Sequence, residues 1–134
     1  MSTESNITFR NPSTVAPPLG AYSHVVTVPS GTDLIVLSGQ VGNEIDGSVP
    51  PEPEKQYELA LRNLVRLLES EGAGPADLVK LNTYLVQSLD LPTVRAIRTS
   101  ILGDVAPAAT LIYVPRLAGP DYLVEVEGWA ARRR

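Results

Sequence analysis

Two carboxylates near the end of the chain carry the clearest chemical signal. Leu123-Val-Glu-Val-Glu127 alternates apolar and acidic residues. A period of two puts Glu125 and Glu127 on one strand face and Val124 and Val126 on the other. Like charges at neighbouring positions repel, so such a face is either wet, as on an edge strand, or a site. His24 is the lone histidine and stands two residues after Tyr22. Its pKa range suits proton transfer, and hydrogen bonding within a sheet is the competing role. Cysteine is absent, which removes thiolate nucleophiles, disulfides and cysteine-held metals. A single histidine also rules out a multi-histidine metal centre, so no metal is expected.

These groups must be positioned by one small domain. The chain has 134 residues, 43% of them hydrophobic and 19% charged, which suits a single folded unit spanning 1–134. The formal net charge is −4, and the aromatic content is low, with one Phe and one Trp. That balance disfavours a nucleic-acid surface, which needs clustered Lys and Arg. The terminal Arg132-Arg133-Arg134 reads as a solvated basic end. No run approaches the roughly 20 apolar residues of a spanning helix, and the N-terminus lacks the pattern of a signal peptide. A cytoplasmic location without membrane contact is expected. Residues 1–10 are expected to be partly disordered, with 1–6 frayed.

The spacing predicts the elements in order. Ile7 to Arg10 reads as a short strand, and the proline-rich 11–20 as a pinned loop. Tyr22–Val28 and Leu34–Gln40 read as strands joined in a hairpin through Gly31. The apolar Leu34-Ile-Val-Leu37 predicts a central strand covered on both faces. Pro53–Glu71 is the best helix, with Tyr57, Leu61, Leu64 and Leu68 in one stripe. Val79–Val86 is a strand, and Asp90 opens a second helix that Gly103 ends. Two further strands follow, separated by Gly119-Pro120-Asp121. The result is an α+β domain, one mixed sheet with two helices on one face. A sheet with one uncovered face needs a partner, and self-association is the expected one.

From about Asn11 to Ala130 the chain resembles the RidA/YjgF family. The markers are Asn11-Pro12, Gly20-Ala-Tyr22-Ser-His24, Ser38-Gly-Gln-Val-Gly42, Asp46-Gly47, Gln56 with Asn63-Leu64, Val79-Lys80, Pro107-Ala108 with Thr110, and Val124-Glu-Val-Glu127. The resemblance implies a chorismate-mutase-like fold and a homotrimeric barrel with clefts between subunits. It implies hydrolysis of enamines and imines to ammonia and a 2-keto acid, without a cofactor. The family tyrosine matches Tyr22, and the acid that orients or activates water matches Glu125. The family arginine that grips a substrate carboxylate falls at Ala109, within Pro-Ala-Ala-Thr. Losing a charge-assisted contact of that kind costs about 10- to 100-fold in binding. Arg95, where the deaminases usually carry Asn, is the candidate replacement donor, and Arg116 a weaker one. Arg95, Ala109, Thr110 and Trp129 are the candidate substrate-binding positions, with Trp129 also suited to core or interface.

Three functions compete. The first is a divergent hydrolase acting on an imine, enamine or related reactive small metabolite. The second is a trimer that binds a small molecule without chemistry. The third, RNA cleavage as in some relatives, is disfavoured by the acidic balance and the lack of a basic or histidine pair.

Overall fold

The computed structural model describes residues 6–133; the expected fraying of residues 1–5 lies outside them. The elements run β1 (Thr8–Arg10), β2 (Val25–Thr27), β3 (Thr32–Val36), β4 (Gln40–Val41), α1 (Pro53–Ser70), a 3₁₀ turn (Pro75–Asp77), β5 (Leu78–Leu85), α2 (Leu91–Leu102), β6 (Ala108–Tyr113) and β7 (Val124–Arg133). Strands β3, β7, β5 and β6 lie side by side in that order, with β4 also on β7. β5 and β6 are parallel, joined through α2, while every pairing with β7 is antiparallel. The sheet is therefore mixed, as the element order predicts.

Both helices pack on one face of it. Tyr57, Leu61, Leu64 and Leu68 are all buried and meet Val124, Val126 and Ala130 of β7 and Leu81 of β5. The alternation in β7 is realised: Val124 and Val126 are fully buried against α1, and Glu125 and Glu127 look away from it. Pro53 starts α1, where a missing N–H costs nothing. Asp90 caps α2 by accepting from the Thr93 N–H at 3.2 Å, and Gly103 ends it at φ 73°. No helix among the described residues is long and apolar enough to cross a membrane.

Four strand expectations are corrected. β3 is an edge strand, not a central one: Ile35 and Leu37 pack on the core, but Leu34 and Val36 are 58% and 60% exposed. β2 pairs with β1 in a separate two-stranded sheet and not with β3, so the hairpin through Gly31 does not form. Residues 22–24 lie outside β2, because Ser23 spends its hydrogen bonds on Ala106 and Pro107 instead of on a neighbouring strand. β7 sits between β3 and β5, so the two acids are on an interior strand and not an edge. β6 and β7 follow each other in sequence, yet β5 lies between them. An apolar run or a turn reports local geometry; it does not say which strand lies alongside.

Candidate functional site

The face of the sheet turned away from the helices holds a polar cluster. Opposite β7, register pairs Tyr84 with Glu125, Asn82 with Glu127 and Lys80 with Trp129. On the other side of β5, Thr110 and Ile112 pair with Asn82 and Tyr84. The Tyr84 hydroxyl and the Asn82 Nδ2 (at 3.2 Å) both donate to Oε1 of Glu127. Lys80 Nζ donates to the Thr110 hydroxyl at 3.1 Å. The bond to Glu127, then burial, then the charges of Glu127 and Glu125 push the Tyr84 phenol above its ordinary pKa. With Nδ2 turned to the carboxylate, Asn82 Oδ1 is buried and meets no donor among the described residues. Around this cluster lie exposed apolar groups: Leu34, Val36, Ile112 and Trp129.

The two acids are therefore not equivalent. Glu127 is occupied by two donors of its own chain. Glu125 accepts no side-chain hydrogen bond among the described residues, and its carboxylate lies against the backbone of Gly39. A Cβ built on Gly39 would stand 1.9 Å from Oε2 of Glu125. Only glycine leaves room for that carboxylate. The short link between β3 and β4 makes this approach, and the sequence marker Ser38-Gly-Gln40 did not by itself reveal it.

Tyr22 sits elsewhere, in a loop stitched to the chain entering β6. Its hydroxyl accepts from the Leu19 N–H at 3.0 Å, and its ring meets His24 edge-on, centroids 5.8 Å apart. His24 Nε2 is 2.7 Å from the Ala16 carbonyl, so that nitrogen carries the proton and donates. The His24 N–H donates to Asn11 Oδ1 at 2.8 Å. His24 thus pins the proline-rich loop through Asn11 and Ala16, and among the described residues its ring bonds to no strand, which corrects the expected sheet role. Ser23 is buried, donating from Oγ to Ala106 at 2.6 Å and from N to Pro107 at 3.2 Å. Arg98 of α2 adds bonds to the carbonyls of Ala21 (3.0 Å) and Val105 (3.4 Å). Sequence reasoning passed over Arg98; its place on the Val94–Ile101 side of α2 was the available signal.

Of the predicted site residues, Glu125, Thr110 and Trp129 share the open sheet face. Ala109 pairs with Leu81 and so lies on the opposite face of β6 from Thr110, two residues beyond the Tyr22 loop's anchor at Pro107. Arg95 is exposed on α2 and makes no hydrogen bond or ion pair among the described residues; Arg116 is exposed as well. No hydrogen bond joins Tyr22 to Glu125. Five surface pockets of about 220 to 410 Å³ are lined by other residues. Among the described residues no three His, Asp or Glu side chains gather as metal ligands would.

Comparison with known proteins gives the family. A solved structure from Yersinia pestis, YyfB of the Rid family and of unknown function, superposes with a TM-score of 0.82 at 30% identity, covering 94% of this chain and 98% of that one. A RutC family protein of Pyrococcus abyssi is 29% identical over 115 residues, 84% of this chain and 87% of its own. A 2-iminobutanoate/2-iminopropanoate deaminase of Dermatophagoides farinae is 28% identical over 116 residues, 82% of this chain and 84% of its own. The family model described as Endoribonuclease L-PSP matches residues 13–132. The chain belongs to that family, the RidA/YjgF proteins.

Proposed function

We propose that this protein is a divergent hydrolase of the deaminase type, cofactor-independent, acting on an imine, enamine or related reactive small metabolite in a cleft between copies of a cytoplasmic homotrimer. The observation that carries the reading is the carboxylate of Glu125, seated on Gly39 with no side-chain donor among the described residues, beside a polar cluster whose other carboxylate, Glu127, already holds two donors. A carboxylate in that state can hold a water and take its proton. The water oxygen bonds to the imine carbon as its proton passes to Glu125. That proton then goes to the nitrogen of the resulting carbinolamine. The hydroxyl proton then passes by way of Glu125 to the same nitrogen, the C–N bond breaks, ammonia leaves and the carbonyl forms. Tyr22 orients the substrate. Within one chain Tyr22 and Glu125 belong to separate clusters, and the exposed apolar rim of the sheet offers surface to bury; both support a cleft completed by a neighbouring copy.

Ala109 sets the substrate. It offers no donor, so a 2-imino acid carboxylate has no fork to meet there unless Arg95 supplies one. The same residue favours a second reading, a trimer that binds a small molecule without turning it over. The test is ammonia release from 2-imino acids generated in situ, with Ala109→Arg, Glu125→Gln and Tyr22→Phe as comparators. An inert wild type and an active Ala109→Arg variant would mean a competent site retuned to a substrate lacking that carboxylate. Activity in the wild type, lost in Arg95→Ala, would assign the anchor to Arg95. If no substrate is turned over and saturable ligand binding leaves no product by mass spectrometry, the non-catalytic reading stands. Light scattering at micromolar protein should give three times 14.4 kDa; a monomeric mass would remove the cleft.

A further inference from the structure

The Tyr22 loop has little to hold it. Residues 11–24 make no strand pairing, and Tyr22 precedes β2 by three residues. Four hydrogen bonds link residues 21–23, α2 and the segment 105–107 to one another. Two come from Ser23, to Ala106 and Pro107. The other two come from Arg98, which reaches Ala21 with Nη2 and Val105 with Nη1. Arg98 is the only one of these groups that touches both segments from a third element. Its guanidinium is partly withdrawn from water beside the buried Tyr57 ring of α1, so the fork is aimed and not merely draped on the surface. Arg95 lies one turn earlier on the same helix, fully outside this network.

We infer that Arg98 is a positioning residue: its guanidinium bridges the carbonyls of Ala21 and Val105 and so sets the Tyr22 phenol relative to the head of β6, where Ala109 stands. The consequence for turnover rests on the hydrolase reading above; the clamp itself does not. A planar fork can serve two carbonyls on different segments at once. A lysine ammonium on a flexible stem reaches one of them. A methionine keeps the stem and reaches neither.

The test compares Arg98→Met and Arg98→Lys with the wild type, as full chains. Hydrogen exchange of the amides at 20–24 and 105–110 should speed up about tenfold or more in the methionine variant, while β5 and β7 keep their protection. The Tyr22 ring resonances, assigned through Tyr22→Phe, should shift in Arg98→Met and return part of the way in Arg98→Lys. With a turned-over substrate, Arg98→Met should lower kcat by about tenfold, with a smaller change in KM. Unchanged exchange and unchanged Tyr22 resonances in Arg98→Met would overturn the inference. If those two change but Tyr22→Phe leaves turnover untouched, the clamp stands and the role given to Tyr22 falls. Should Arg98→Met fail to fold, Arg98→Lys carries the comparison, with one segment loosened and the other held; equal protection of both would overturn the inference.

Discussion

Replacing Gly39 by alanine should separate activity from stability. The new methyl would lie 1.9 Å from Oε2 of Glu125, 2.8 Å from Cδ and 3.1 Å from Cγ. All three atoms belong to the far part of a flexible side chain, so the carboxylate can swing away while the backbone stays. To clear even a 3.0 Å contact, the oxygen must retreat by about 1 Å. An off-rotamer side chain costs about 0.5–1.5 kcal/mol. Gly39 does not occupy a positive φ, so alanine also reduces the freedom of the unfolded chain, worth about 0.4–1 kcal/mol in the opposite direction. The two nearly offset, and Tm should move by no more than a few degrees, as a net change under about 1 kcal/mol requires. Catalysis has no such compensation: a reacting group misplaced by about 1 Å can lose about 100-fold. The assay is ammonia release on whichever substrate the wild type turns over, alongside thermal unfolding. In the Glu125→Gln background the alanine should do little more, because the group it displaces is already disabled. Full turnover in Gly39→Ala, with Glu125→Gln inactive, would refute the reasoning.

Gly42 is the contrasting case: a Cβ there would stand 2.3 Å from the carbonyl oxygen and 2.4 Å from the Cα of Gln56 in α1, atoms with no flexible exit. Gly42→Ala should therefore destabilise by about 1–3 kcal/mol, read as a fall in Tm, and an unchanged Tm would contradict the packing. Gln56 is fully buried and donates to the carbonyls of Pro50 and Asp121 (both 2.9 Å) while accepting from the Leu123 N–H at 2.8 Å. Gln56→Leu strands those three main-chain groups and should cost about 3 kcal/mol or more in denaturant unfolding; a loss below about 1 kcal/mol would mean that water reaches them. Tyr84 has a folded pKa raised above its free value, first by the bond to Glu127. The folded state then holds the phenol proton more tightly than the unfolded one. Its stabilising contribution is complete below about pH 10 and is lost as pH rises through the folded pKa. Unfolding followed across that range should show a shallower alkaline loss in Tyr84→Phe than in the wild type, and identical slopes would exclude the coupling.

Much of this was legible in local pattern. The 3.6-residue stripe from Tyr57 to Leu68 marks the buried side of α1, and all four residues are buried. Asp90 and Gly103 bound α2 as cap and stop. The alternation of Val124 to Glu127 separates core from open face. Each of these signals is carried by residues within a turn or two of one another, where backbone geometry alone decides the outcome. The family markers extend that reading from about Asn11 to Ala130, and the fold agrees.

What an acid on that open face meets is a different kind of fact. Glu125 and Glu127 look alike in sequence, yet β7 lies between β3 and β5, and its neighbours make them different. Tyr84 and Asn82, 43 and 45 residues from Glu127, both donate to its Oε1, while the link from β3 to β4 leaves Glu125 a bare glycine backbone. Arg95 and Arg98 are three residues apart and chemically identical, and only Arg98 meets a chain segment 77 residues away. The sequence by itself determined the two helices, the buried sides of α1 and β7, and the family, because periodicity, caps and turn residues act over short stretches. The tertiary structure alone decided which carboxylate is left open and which arginine is recruited. Those outcomes depend on strand order and on contacts between distant segments, which no local spacing encodes.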